Sequence, residues 1–72
     1  MREEYHELQS HLAAFLYHIA KIRKFESIAI MMILKTENQV LTMMDYIDKH
    51  REECLTEEHL LNVAYAIAEQ VD

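Results

Sequence analysis

Not one glycine or proline occurs in the 72 residues of this chain. Those two residues supply the left-handed and fixed-φ positions on which tight hairpin turns depend. A chain without them lacks the punctuation of short-stranded sandwiches and barrels. What it has instead is apolar side chains spaced at helical intervals along almost its whole length. The expected class is all-α: a small three-helix bundle with two long antiparallel helices and a shorter third helix, forming one domain over residues 1–72.

The first segment, Glu3 to Lys24, carries an apolar ridge at Tyr5, Leu8, Leu12, Phe15, Ile19 and Ile22, with Ala13, Leu16 and Ala20 widening it. Glutamates 3, 4 and 7 stand near its start and Lys21, Arg23 and Lys24 near its end, the arrangement a helix dipole favours. The second segment admits two readings. Thr36 followed by Gln39 fits a capping box and a new helix start. Against a break, Lys35, Asn38, Thr42, Asp45 and Lys49 form a continuous polar stripe, with Ile30, Ile33, Leu34, Val40, Leu41, Met44 and Ile47 largely on the other side. The stripe favours one long helix from Ser27 to Glu52, with Ser27 as N-cap and Lys35 to Gln39 helical throughout. In the third segment Thr56 caps, Glu57 and Glu58 fill the first turn, and Leu55 is placed to staple onto Leu60. Leu60, Val63, Ala64, Ile67 and Val71 then form its core face, and the helix ends near Gln70.

Hydrophobic residues make up 51% of the chain and charged residues 28%, too apolar a balance for intrinsic disorder. A single cysteine cannot form an internal disulfide, and the start does not read as a signal peptide. The most apolar run, Ile28 to Leu34, is far short of the roughly 20 residues a membrane helix needs. A soluble, cytoplasmic protein with no membrane role is expected.

Charge is uneven. The first 35 residues carry +1 and the remaining 37 carry −7, for the net −6 of the chain. An acidic half repels a phosphate backbone, and Lys21, Arg23 and Lys24 are few for a nucleic-acid footprint.

Five histidines invite a metal reading. His11 and His18 share a helix face with Glu7, and Glu3 with His6 has the Glu-x-x-His spacing of di-metal bundles. No second copy of that motif exists, and the second long helix offers only Glu37, Asp45 and Asp48. His50, Cys54 and His59 lack zinc-finger spacing and supply one thiolate where structural zinc wants more. Their acidic neighbours oppose a catalytic thiolate, and Cys54 reads best as a small hydrophobe plugging the link. No phosphate-binding glycine loop can exist here. The expectation is no metal, no cofactor and no enzyme activity.

The favoured function is a non-enzymatic helical protein that acts through protein–protein contact as a homodimer. A core this small is marginal alone, and the short third helix should leave apolar surface on the long pair. Leu16, Ile30 and Met31 are the candidate interface residues, and the pairs Met31-Met32 and Met43-Met44 suit either a core or an adaptable surface. The acidic stretch from Asp45 to Glu58 suits either a protein partner with a basic surface or ordinary solubility charge. The alternative is a helical DNA-binding transcriptional regulator of helix-turn-helix type. Its reading helix would be the third, which carries no lysine or arginine.

Overall fold

The computed structural model describes residues 2–70, with side chains placed from residue 4 onward. Val71 and the Glu3 side chain, both given roles above, lie outside the described residues. The elements are α1 (Arg2–Ala20), α2 (Lys24–Ile33), α3 (Glu37–Lys49) and α4 (Glu57–Glu69), with no strand among the described residues. The fold is a four-helix bundle. This corrects the expected three-helix bundle: the long helix from Ser27 to Glu52 is two helices, separated by Leu34, Lys35 and Thr36. Unbroken, it would have measured about 39 Å at about 1.5 Å per residue. The molecule's longest extent is 32 Å.

Two local devices, neither using glycine, fold the first half of the chain. The first is at the end of α1, which stops at Ala20 and not at Lys24. Lys21 adopts a φ of 62°, in the left-handed region that glycine favours. Its N–H donates to the Tyr17 carbonyl at 3.1 Å, and the Ile22 N–H donates to the Leu16 carbonyl at 3.0 Å. A left-handed lysine costs about 1–2 kcal/mol. Ile22, buried in the core, returns about 1.5–3 kcal/mol, enough to hold the turn. Lys21 sits at the end of α1 as the dipole argument expected, and its Nζ donates to the His18 carbonyl at 3.4 Å. Arg23 and Lys24 do not. They open α2, where positive charge is disfavoured, and Arg23 is held by Glu26, which accepts from its backbone N–H and from its guanidinium. Ser27, expected as an N-cap, lies inside α2. It is fully buried, and its hydroxyl donates back to the Lys24 carbonyl at 2.6 Å.

The second device is the break before α3. Thr36 caps α3, its Oγ1 accepting from the Gln39 N–H at 3.1 Å. The Gln39 side chain is itself nearly buried, and its Oε1 accepts from the Lys35 N–H at 2.6 Å. The polar stripe could not exclude this break. Asn38, Thr42, Asp45 and Lys49 all belong to α3, so continuity across the link rested on Lys35 alone.

The start of α4 follows expectation. Thr56 accepts from the His59 N–H at 3.1 Å, and Leu55 and Leu60 are both buried in the core.

Packing then closes the bundle. α1 packs chiefly on α3 and also on α2, while α4 packs on α2 and α3. The Tyr5 hydroxyl donates to the Leu34 carbonyl at 3.2 Å, tying the end of α2 to the start of α1, so the two run antiparallel. The largest fully enclosed side chains are Leu12 and Leu16 from α1, Ser27 and Ile30 from α2, Val40, Met43 and Ile47 from α3, and Leu60 from α4. Leu41, assigned to the apolar face by its spacing, is instead exposed, because the buried row of α3 runs Val40, Met43, Ile47.

Candidate functional site

α2 packs on α1 and on α4 and still presents an apolar third side. Its ten residues are Lys-Phe-Glu-Ser-Ile-Ala-Ile-Met-Met-Ile. Ile30 and Ser27 point into the core, and Ile33 packs partly against it. Phe25, Ile28, Ala29 and Met32 recur at the i, i+3, i+4, i+7 spacing of one helix face, and all four are exposed. Phe25 is 85% exposed, Met32 76% and Ile28 46%. With roughly 200 Å² per large side chain, these three present roughly 400 Å² of contiguous surface. That lies in the range where the largest patch on a monomer is often functional.

Beside this face runs a groove of about 450 Å³ between α1 and α2. His6, Gln9, Ser10 and Ala13 line it from α1, and Lys24, Ile28, Met31 and Met32 line it from α2. Its lining thus combines four apolar side chains with a histidine, an amide, a hydroxyl and an ammonium group. A cavity of about 150 Å³ already accepts a benzene-sized ring, so the groove has room for a large side chain.

Of the three residues expected at an interface, Leu16 and Ile30 are 0% exposed and belong to this chain's own core. Once the second helix breaks, α2 turns Ile30 inward, and Leu16, read as widening the α1 ridge, is fully buried. Met31 is half-buried and forms a groove wall. Met32 stood in a methionine pair that suited either a core or an adaptable surface, whereas Phe25, Ile28 and Ala29 were not among the expected interface residues. Their signal was present: residues 25 to 34 hold a single charge, Glu26, so whichever side packs inward, another apolar side stays outside.

The methionine pairs divide. Met43 is fully buried, Met44 partly so, Met31 walls the groove and Met32 stands in solvent.

The histidines fall into two groups. His6, His11 and His18 are exposed along α1. His50 and His59 meet at Tyr46, whose hydroxyl hydrogen-bonds His59 Nε2 at 2.7 Å and whose ring stacks on His50 at 4.1 Å between centroids. His50 Nδ1 also pairs with Glu53 Oε2 at 2.7 Å. This cluster fastens the end of α3 to the start of α4 across a link that contains no glycine. Cys54 does not plug that link as expected; it is exposed, outside the cluster. Among the described residues, no three histidine, cysteine, aspartate or glutamate side chains gather as metal ligands would.

The acidic stretch is partly spent on local pairs. Asp45 meets Lys49 at 3.1 Å, Asp48 meets Arg51 at 2.5 Å, and Glu53 meets His50. Exposed pairs of this kind contribute little to stability, and they reduce the field available to a basic partner. Glu52 and Glu58 stay exposed without an ion pair among the described residues. No described helix is long and apolar enough to cross a membrane. No protein-family model matches the chain, and no curated protein or solved structure matches it significantly.

Proposed function

We propose that this chain is a small non-enzymatic helical protein that acts through protein–protein contact, and that its first partner is a second copy of itself. The observation that carries this reading is the exposed face of α2, where Phe25, Ile28, Ala29 and Met32 stand in solvent on a helix whose two charges, Lys24 and Glu26, are confined to its first turn. Beyond that turn the helix is apolar almost all round, and such a helix is normally enclosed on all sides. A two-fold mate encloses it at no cost in new sequence, because the same patch serves both chains. Two copies of the face remove roughly 800 Å² from water, about half of a standard interface of about 1,600 Å². The groove walls and rim supply further area beside it.

The rival reading, a DNA-binding regulator, draws less support. α4, its reading helix, exposes Glu58, Asn62, Tyr65 and Glu69 and has no lysine or arginine. A heterologous partner with a basic surface for Glu52 and Glu58 remains a second role for the same small protein.

Light scattering after size exclusion tests the reading directly. A dimer gives twice the 8.6 kDa chain mass at micromolar concentration, and its melting temperature rises with protein concentration. A mass of 8.6 kDa with a melting temperature independent of dilution rejects the self-association.

A further inference from the structure

We infer that two copies pair through α2 in antiparallel register about a two-fold axis between Ile28 and Ala29, so that Phe25 of each chain packs on the partner's Met32. This rests on the self-association proposed above and specifies which residues meet.

Three observations lead to it. The exposed face is symmetric about its own midpoint: its bulky ends, Phe25 and Met32, flank a centre of Ile28 and Ala29. In an antiparallel pair the positions that meet sum to 57, which sets each Phe25 against the partner's Met32 and each Ile28 against the partner's Ala29. The small Ala29 lets the two helix axes approach closely at the axis, while the rigid aromatic end meets an unbranched, adaptable one. Met32 also lines the groove, whose volume is about 450 Å³, so the incoming ring packs beside space that can take it up.

The second observation is electrostatic. Lys24 occupies the first turn of α2, where the helix dipole disfavours it, and no basic residue lies in the last turn. Antiparallel pairing places Lys24 opposite the partner's Ile33, at the carbonyl end of the partner helix, where a cation is favoured. It also sets the two α2 dipoles against each other in their attractive sense.

The third is the failure of the other symmetric arrangement. A parallel pair stacks Lys24 on the partner's Lys24 and Phe25 on the partner's Phe25, bringing like charges together at the contact. It also leaves both dipoles aligned.

The test is a complementary pair of variants, Phe25→Lys and Met32→Glu, in the full-length chain. Both side chains are largely exposed in the single chain, so neither change removes core packing; helical circular dichroism confirms that each variant folds. Each variant alone raises the dimer dissociation constant by about a hundredfold or more, because two-fold symmetry makes one substitution remove the Phe25–Met32 contact twice. Mixed in equal amounts, the two form a heterodimer that keeps one native Phe25–Met32 contact and gains one lysine–glutamate contact. Recovery of at least tenfold in affinity, read by sedimentation with one variant fluorescently labelled, supports the register. Variants that weaken the dimer alone but do not rescue each other overturn the register and leave the α2 interface standing. A wild-type dimer that neither variant weakens overturns the α2 interface altogether, and a monomeric wild-type protein overturns the self-association on which both rest.

Discussion

Replacing Lys21 by glycine separates two descriptions of the first helix by the sign of its effect. If residue 21 were inside a helix running to Lys24, glycine would destabilise the protein by about 0.5–1 kcal/mol, the usual cost in a helix interior. In the structure Lys21 has a φ of 62°, and the sign reverses. Removing the Cβ relieves about 1–2 kcal/mol of left-handed strain. The added freedom of the unfolded chain takes back about 0.5–1 kcal/mol. The exposed Nζ contact to His18 is 3.4 Å long and contributes little. The net expectation is a gain of roughly 0.5–1 kcal/mol. Unfolding entropy near about 2.1 cal/mol/K per residue gives about 0.15 kcal/mol/K for a chain this size, hence a rise in melting temperature of roughly 3–7 °C. Thermal melts followed by circular dichroism at one fixed protein concentration measure it, since association shifts melting by mass action. Lys21→Val, which adds a β-branch at a left-handed position, should lower the melting temperature. A glycine variant that melts at or below wild type refutes the reasoning.

Gln39→Ala should cost about 1–2 kcal/mol in urea denaturation, because it strips the acceptor from the Lys35 N–H at the α2–α3 break. Tyr46→Phe should cost about 1 kcal/mol, and a double-mutant cycle with His59→Ala should recover a coupling of similar size for the 2.7 Å bond between them. Met43→Ala, at a fully buried position, should cost about 2–5 kcal/mol, a large part of the stability of so small a domain. Met32→Ala should leave the fold intact by circular dichroism while weakening self-association, a contrast between residues that sequence hydropathy treats alike.

Helical class, the start and core face of α4 and most of the α1 core were legible in the residues alone. Each is governed by local rules: a 3.6-residue apolar period, a threonine cap with an apolar staple, and the absence of turn formers. These act within one or two turns of chain, and one or two turns are what a sequence window sees. The number of helices was not legible. Both breaks use residues that also suit a helix interior: a lysine held left-handed by the burial of Ile22, and a Thr36–Gln39 cap completed by the Lys35 backbone. Whether such a signal ends a helix depends on what the rest of the molecule gains when the chain turns. Here, turning lets α4 pack on both α2 and α3 within 32 Å, which a straight helix of about 39 Å could not allow. The same choice decided the candidate surface. Residues 25 to 34 are apolar around almost the whole helix, so their sequence states that some apolar side will be left over. Only the docking of α1 and α4 determines that Ile30 goes in and that Phe25, Ile28, Ala29 and Met32 stay out.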